Sequence, residues 1–337
     1  YTLATLSDSP LHPGPEAGVT AAHLALATDR IGLAPTLHAT TTEPFHLATQ
    51  LASLDHASHG RGAWIVGATN GADDLATIGR TPLTAQALRQ ETGDVVRTAR
   101  ALWDSWEDDA VVKSIATSRF LDAAKVHHVD FEGDSFSVKG PLITPRPPQG
   151  QLVVIAPADL ELDAHADIVL VGADGTAERA ARARAAGAAL VFAEIEVVLD
   201  TDTPAARRLE QLDRGAPWPD SGRFRHVGSV AGLVQLLSEL RSLVDGVRLH
   251  PAEPAHDLPV LTDQLPPALD RAGLHRAPRP GAILRDSLGL PRPANRFAAA
   301  RTAPDAASAR HAASPADDAN APATSRARAR AGGHTHR

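Results

Sequence analysis

The chain has 337 residues, of which 43% are apolar and 4% aromatic, and it carries a formal net charge of −7. This charge provides no case for a nucleic acid or an anionic membrane as a partner. Cysteine is absent, which excludes disulfides, thiolate metal sites and cysteine nucleophiles. The sequence shows neither a secretory signal nor an apolar stretch near the roughly 18 residues of a membrane span. We therefore expect a cytoplasmic protein.

Strand-like and helix-like segments alternate along the chain. The strand-like segments are residues 1–6, 31–37, 62–67, 152–156, 168–171, 190–199 and 247–249. The helix-like segments are residues 16–28, 44–57, 85–103, 176–186, 204–212, 230–243 and 258–272. Strands separated by helices at this interval predict parallel βαβ units.

The number of strands bears on the architecture. Seven strands are one short of a closed eight-stranded barrel. The chain begins at Tyr1 and contains no methionine, so we expect a truncated N-terminus and a first strand lost upstream. A doubly wound open sheet is the competing architecture, and periodicity alone does not exclude it.

Two regions depart from the alternation. Residues 104–150 read as an irregular insert, in which residues 129–131 and 135–138 predict a hairpin with Gly133 in its turn. From residue 298 onward the sequence has no apolar period and no large hydrophobic residue. Such a segment cannot bury enough surface to offset its ordering entropy. We therefore predict one domain over residues 1–297 and a disordered tail over 298–337.

Three phrases in the chain resemble those of a known family. Residues 54–64 read Leu-Asp-His-Ala-Ser-His-Gly-Arg-Gly-Ala-Trp, and residues 102–110 read Leu-Trp-Asp-Ser-Trp-Glu-Asp-Asp-Ala. Residues 288–297 read Leu-Gly-Leu-Pro-Arg-Pro-Ala-Asn-Arg-Phe. In this order they resemble the flavin-dependent monooxygenases related to bacterial luciferase. The branch they are most similar to is the large, oxygenating component of nitrilotriacetate monooxygenase and its desulfurising relatives.

The resemblance implies a fold and an activity. The fold is a TIM (β/α)8-type barrel, which decides against the open sheet. The implied activity is FMN-dependent monooxygenation of a small organic substrate with O2, with reduced FMN supplied by a separate flavin reductase. The flavin would lie over the carboxyl-terminal mouth of the barrel, where α/β barrels place their sites. Barrels of this kind often associate into homo- or hetero-oligomers.

Two flavin-contact positions carry over from the resemblance. Asp8 matches the acidic residue that ends the second strand of the family, and Thr36 matches a threonine that ends the third. Both side chains can form hydrogen bonds with an isoalloxazine edge. The alternatives are that Asp8 caps the following turn and that Thr36 is an ordinary strand residue.

Other positions differ from the family pattern. The family's His and Tyr of the phosphate region fall on Ala85 and Arg89, and its serine falls near Asp159. Pro157 removes a backbone donor there. A carboxylate about 4 Å from a phosphate charge costs on the order of 4 kcal/mol at an effective dielectric near 20. We predict instead that Arg89 and Asp159 pair and fill the vacated anion site.

These replacements leave two further functions open. The first is a degenerate, non-catalytic paralogue that acts as a subunit or scaffold of an active homologue. The second is a barrel that binds a non-phosphorylated ligand, such as a deazaflavin-like or small aromatic compound. The histidines do not indicate a further function. Adjacent residues on a strand face opposite ways, so His127 and His128 are not expected to form a metal site. A lone His38 near the mouth is expected to be structural.

Overall fold

The computed structural model describes residues 1–298, apart from 12, 216 and 219. The predicted tail lies outside the described residues beyond its first position. The strands are β1 Leu3–Leu6, β2 Gly32–His38, β3 Ala63–Gly67, β4 Val111–Ser114, β5 Arg119–Leu121, β6 Phe131–Glu132, β7 Ser137–Val138, β8 Val153–Pro157, β9 Ile168–Val171, β10 Leu190–Leu199, β11 Phe224–Gly228 and β12 Gly246–Pro251.

The α-helices mostly lie between these strands, and the last three of them follow β12. They are α1 Ala17–Ala27, α2 Pro44–Ala57, α3 Ala72–Ala76, α4 Ala85–Trp103, α5 Thr176–Ala185, α6 Ala205–Gly215, α7 Val230–Leu240, α8 Pro254–Asp263, α9 Leu265–Ala272 and α10 Leu284–Leu288. One prediction was wrong here, because the single helix expected over residues 258–272 is divided between α8 and α9. Pro266 and Pro267 provide no backbone N–H groups, which ends the helical hydrogen bonding before them.

Seven parallel strands form one curled sheet in the order β1-β2-β3-β8-β9-β10-β12. They correspond to the seven strands that the periodicity predicts. An eighth parallel strand, β11, was not predicted. It pairs with Ile195–Leu199 of β10. The preceding part of β10, residues 190–193, pairs with β9 along the same edge. The architecture is of the TIM-barrel type, and the residues that the structure describes do not form the doubly wound open sheet.

The sheet has a seam between its first and last strands. Within the described residues, no backbone pairing joins β1 to β12. Side chains cross the seam instead: Arg248 Nε donates to Thr5 Oγ1 at 3.2 Å, and the Tyr1 hydroxyl donates to the Leu261 carbonyl at 2.8 Å. The two ends of the sheet are therefore held together by polar contacts and not by a ladder.

The alternation along β2 shows how the sheet divides its two faces. Leu33 and Leu37 pack outward against helices, whereas Ala34 belongs to the interior cluster. Because successive strand residues face opposite ways, Thr36 and His38 point inward with Ala34. Leu284 and Leu290 from the C-terminal segment complete that interior cluster.

Residues 104–150 contain two antiparallel hairpins. β6 and β7 pair where the sequence predicts a hairpin, with Phe131 opposite Val138. The other hairpin, formed by β4 and β5, was not predicted. Its side chains are largely exposed, including Ile115 and Phe120, so it lacks the alternating pattern of a half-buried strand.

The three family-like phrases meet at the amino-terminal end of the strands. Asp55 accepts hydrogen bonds from Gly62 N, Gln149 N and Gln149 Nε2. Asp104 accepts two from Arg146, at 3.1 and 2.9 Å. Asn295 Nδ2 donates to the Asp104 carbonyl at 2.8 Å. The phrases thus form a buried polar network that joins α2, the end of α4 and the C-terminal segment.

Candidate functional site

A cavity of about 700 Å³ opens at the carboxyl-terminal ends of the parallel strands. Its lining comes from residues at or just after the ends of β1, β2, β3, β8 and β9, together with residues of β10 and β12. Apolar contributions include Ile65 and Leu170. The cavity has the volume of a small-molecule site and lies on the face where α/β barrels carry their active sites.

Asp8 and Thr36 line this same cavity. The Asp8 carboxylate accepts hydrogen bonds from Ser9 N at 2.8 Å and from Ala17 N, at the start of α1, at 2.7 Å. It therefore has the turn-capping role that was the alternative for it, although each oxygen keeps a further lone pair. The Thr36 hydroxyl has no hydrogen-bond partner among the described residues, so it remains available to a ligand.

His38 connects two strand ends beside these residues. Its Nδ1 accepts a hydrogen bond from Thr69 N at 3.2 Å, and its Nε2 lies 3.0 Å from the Asp8 carbonyl oxygen. Because Nδ1 accepts a hydrogen bond, Nε2 carries the ring proton and donates a hydrogen bond to the backbone carbonyl of Asp8. A Cβ on Gly67 would come within 2.7 Å of Nδ1, so glycine leaves room for the ring. The expected structural role of His38 matches these contacts.

The opposite wall is formed by β10, β12 and the segment before β11. Glu194 Oε1 lies 3.1 Å from Arg248 Nη1, 3.0 Å from His250 Nε2 and 3.8 Å from Arg223 Nε. Arg223 also reaches Glu196, at 3.4 Å. A carboxylate on an inward face of the barrel is thus surrounded by basic side chains.

The pKa shifts follow from these contacts. Burial acts to raise the pKa of Glu194, but the hydrogen bond from His250 and the charges of Arg248 and Arg223 lower it below its ordinary value. Burial lowers the pKa of His250; the hydrogen bond to Glu194 opposes this lowering, and the charges of Arg248 and Arg223 add to it. At neutral pH the wall therefore contains an ionised Glu194 beside a neutral His250.

The predicted pairing of Arg89 with Asp159 does not form. Arg89 Nε lies 3.3 Å from Glu161 Oε2, and no ion pair with Asp159 occurs in the described part of the chain. Glu161 follows the short turn at residues 158–160 and adopts a left-handed backbone conformation. It pairs with Arg89 in place of Asp159. Asp159 is exposed and lines the cavity. Ala85 is the first residue of α4 and contributes no polar side chain.

The basic wall was missed by the sequence reasoning, although the sequence carries a signal for it. Glu194 and Glu196 stand two residues apart in the otherwise apolar strand β10. Residues two apart on a strand share a face. Arg223 with Arg225, and Arg248 with His250, repeat this spacing. A charged side chain in a buried strand needs an oppositely charged partner. The repeated spacing therefore predicts that these acidic and basic side chains contact each other.

A family model described as "Luciferase-like monooxygenase" matches residues 2–229. The chain belongs to this family. The match covers β1 to β11 and so includes most of the cavity wall. Among curated relatives, N-acetyl-S-(2-succino)cysteine monooxygenase from Bacillus subtilis (strain 168) is 42% identical over 133 residues, which is 39% of this chain and 30% of the relative.

A second relative supports the branch that the three phrases indicate. Nitrilotriacetate monooxygenase component A from Aminobacter aminovorans is 35% identical over 135 residues, 40% of this chain and 30% of that protein. The matched segment thus spans less than a third of either relative. Among solved structures, a riboflavin lyase with modified FMN and riboflavin superposes with a TM-score of 0.74 at 21% identity, covering 86% of this chain and 85% of that one. This similarity shows the luciferase-like barrel fold.

The family implies a flavin cofactor. The cavity residues fit its isoalloxazine ring but not a phosphate at the end of β8. The free Thr36 hydroxyl and the remaining lone pairs of Asp8 suit the donors and acceptors of an isoalloxazine ring. A phosphate at the carboxyl end of β8 does not fit. Pro157 offers no N–H there, Asp159 adds a negative charge, and Arg89 is engaged by Glu161. The described residues therefore fit an isoalloxazine ring better than they fit a phosphate at the end of β8.

Within the described ranges, no group of three or more His, Asp or Glu residues is arranged to hold a metal ion. His127 Nε2 lies 2.7 Å from Glu107, whereas His128 Nδ1 lies 2.9 Å from the Gly140 carbonyl, so the two rings contact different partners. Nor does any described helix have the length and apolar character needed to cross a membrane.

Proposed function

We propose that this protein is the oxygenating component of a two-component, flavin-dependent monooxygenase that acts on a small organic substrate. The observation that carries the proposal is the cavity at the mouth of the barrel, where Thr36 presents an unpartnered hydroxyl beside Asp8. This arrangement occurs in a chain that belongs to the luciferase-like monooxygenase family. A cavity of about 700 Å³ has room for a flavin ring and a small co-substrate.

Each residue has a proposed role. Thr36 orients the ring through its hydroxyl, and Asp8 accepts a hydrogen bond from a ring N–H while it holds the start of α1. Ile65 and Leu170 exclude water from the inner end of the cavity. When bound, reduced flavin would supply the activation of O2, which is chemistry of the cofactor and not of the protein.

A flavin reductase is the proposed partner. One relative is named as component A of nitrilotriacetate monooxygenase, and another is named as one of the subunits of pristinamycin IIA synthase. Both names describe proteins that work with others. We propose that this chain likewise receives its reduced flavin from a separate protein.

The degenerate paralogue is the second candidate, and a specific observation favours it. The carboxyl end of β8 has an acidic side chain where the family pattern has a serine, and Arg89 is withdrawn by Glu161. In that case the barrel would serve as a subunit beside an active homologue and would not bind flavin.

Flavin titration separates the two candidates. We expect saturable quenching of FMN fluorescence with a dissociation constant below about 10 µM for the enzyme, and no saturation at millimolar FMN for the paralogue. The variant Asp159→Ser should tighten FMN binding by roughly tenfold, since a charge repelling phosphate is removed. Riboflavin, which lacks the phosphate, is the control ligand and should gain nothing. An unchanged FMN affinity would show that Asp159 does not oppose phosphate.

A further inference from the structure

Arg248 has an incomplete set of hydrogen bonds in a nearly buried position. Its side chain is 12% exposed. Nε donates to Thr5 and Nη1 donates to Glu194, but Nη2 has no hydrogen-bond partner in the part of the chain that is described. Arg248 lines the cavity, so this amino group faces the space a ligand would occupy. Nη2 is not among the fully buried unpartnered polar atoms of the described residues, so it is accessible from the cavity and a ligand oxygen there would accept its hydrogen bond.

Arg223 reaches the same carboxylate from the segment before β11. Its Nε lies 3.8 Å from the Glu194 oxygen that Arg248 also contacts, and its Nη1 lies 3.4 Å from Glu196. These contacts are long for charge-assisted hydrogen bonds, which are typically about 2.7–2.9 Å. Nη2 of Arg223 has no hydrogen-bond partner within the described ranges. Two guanidinium groups thus converge at one point of the cavity wall with unused donors.

The charges of this wall do not balance. Among the residues that line the cavity on this wall, Arg223 and Arg248 contact one carboxylate, Glu194, whereas Arg225 pairs with Glu196 outside the lining. The pKa values of both carboxyl groups lie below their ordinary values, because the basic neighbours outweigh burial. Burial keeps His250 neutral by lowering its pKa. The wall therefore carries an excess of one positive charge when the cavity is empty.

The other side of the cavity has the opposite sign. Asp159 and Asp174 line it and are exposed, and Arg179 is the basic residue beside them. A ligand anion is thus repelled from the end of β8, the position of phosphate in the family pattern, and attracted to the wall of β10 and β12. Exposed charges are screened by solvent, whereas the charge of Arg248 is screened less.

We propose that Arg223 and Arg248 form an oxyanion subsite that binds a carboxylate or phosphate group of the ligand entering this cavity. The planar guanidinium fork matches both groups. The inference rests on the proposed function only in taking this cavity as the ligand site, and the binding of small anions tests it without flavin. The oxyanion is either the carboxylate of an organic substrate or a flavin phosphate that binds at the wall of β10 and β12 instead of at the end of β8.

The first test is direct binding of succinate and of inorganic phosphate at constant ionic strength. We expect saturable binding to the full chain, weakened by roughly tenfold to a hundredfold in Arg223→Gln, because a charge-assisted hydrogen bond to the anion is lost. Arg225→Gln is the matched control. Arg225 stands two residues away, pairs with the same Glu196 and lies 5.1 Å from the Trp218 ring, and it does not line the cavity. This control should change affinity by less than about twofold.

Arg248→Gln is the second variant, since it removes the other guanidinium. Its folding must be checked by circular dichroism and thermal unfolding, because Arg248 also bridges to Thr5 across the seam. If Arg248→Gln does not fold, Arg223→Gln with its control still decides the question. Equal weakening by Arg223→Gln and Arg225→Gln, or no saturable binding of either anion up to about 100 mM, would overturn the subsite.

Flavin titrations distinguish the two sources of the oxyanion. If the flavin phosphate binds here, Arg223→Gln weakens FMN binding and leaves riboflavin binding unchanged. If a substrate carboxylate binds here, Arg223→Gln weakens succinate binding and leaves both flavins unchanged. A chain that binds succinate through Arg223 but binds neither flavin would refute the proposed monooxygenase function and leave the subsite standing.

Discussion

The two ends of the barrel differ in how completely their polar groups are partnered. At the amino-terminal end, Asp55 accepts three hydrogen bonds and Asp104 is paired with Arg146, all in fully buried positions. At the carboxyl-terminal end, the hydroxyl of Thr36 and an amino group of Arg248 face an open cavity with no partner among the described residues. One end is satisfied by the protein itself, and the other leaves polar groups open to solvent or to a ligand.

This difference explains why the three family-like phrases predict the fold but not the residues of the cavity. The three phrases that carry it lie in the amino-terminal network, where they fix the positions of α2, α4 and the C-terminal segment. In α/β barrels that end contributes to stability, and the opposite end carries the chemistry. The phrases therefore predict the fold, whereas the activity depends on cavity residues outside them.

The largest effect is expected from breaking the amino-terminal network. Arg146 and Asp104 each expose 2% of their side chains. Arg146→Ala would leave the buried Asp104 carboxylate with only one, long ion pair among the described residues, to Arg296 at 3.8 Å, so we expect a loss of about 3–5 kcal/mol in the free energy of unfolding. Urea denaturation measures this loss.

An exposed ion pair of the same network is the matched control. Arg292 pairs with Asp108 at 2.6 Å, and both side chains are largely exposed. Arg292→Ala should cost less than about 1 kcal/mol, because solvent screens the pair. If both substitutions had similar effects, burial would not govern the stability of this end.

A pH effect of intermediate size is expected at Asp55. Burial raises the pKa of Asp55 from 3.8 to about 6, although hydrogen bonds from Gln149 and Gly62 oppose the rise. A raised folded-state pKa means that the folded chain binds the proton more tightly than the unfolded chain. The stability from this group is therefore full below pH 3.8 and is lost as the pH rises through about 6.

The measurement compares the wild type with Asp55→Asn, which cannot titrate at this position. The difference in unfolding free energy between the two proteins should favour the wild type by about 2 kcal/mol more at pH 4.5 than at pH 7.5. Groups such as His165 and His250, whose pKa values are lowered by burial, titrate in both proteins and cancel in the difference. A constant difference across this range would mean that Asp55 has an ordinary pKa in the fold.

Periodicity was sufficient for the strands and helices with a strong apolar pattern. The seven strands of the curled sheet and the helix Pro44–Ala57 follow from apolar residues at regular spacing in the sequence. Strand β11 was missed because Arg225 and His226 stand side by side in Phe224–Gly228 and interrupt the apolar alternation. It is held by pairing with β10 and not by its own pattern, and such tertiary pairing is not visible in local sequence.

The candidate site was predictable in position but not in its partners. The family resemblance assigned Asp8 and Thr36 to the mouth of the barrel, and both line the cavity there, where the carboxyl ends of the parallel strands meet. The choice between Asp159 and Glu161 as the partner of Arg89 depends on the left-handed turn at Glu161. Non-glycine residues rarely adopt that conformation, so the sequence gives no reason to expect it.

The smallest effect is expected at Thr36, and it sharpens the contrast between the two ends. Thr36→Val keeps the shape of the side chain and removes a hydroxyl that has no partner among the described residues. The free energy of unfolding should remain within about 0.5 kcal/mol of the wild type, while flavin affinity should fall roughly twofold to tenfold through the loss of one hydrogen bond. Thr40→Val is the control, because the Thr40 hydroxyl donates to the Thr69 carbonyl at 2.8 Å in a buried position. It should lose about 1 kcal/mol of stability and keep its flavin affinity. The two threonines lie four residues apart, so opposite responses would separate a group reserved for a ligand from one used by the fold; an unchanged flavin affinity in Thr36→Val would make Thr36 an ordinary strand residue.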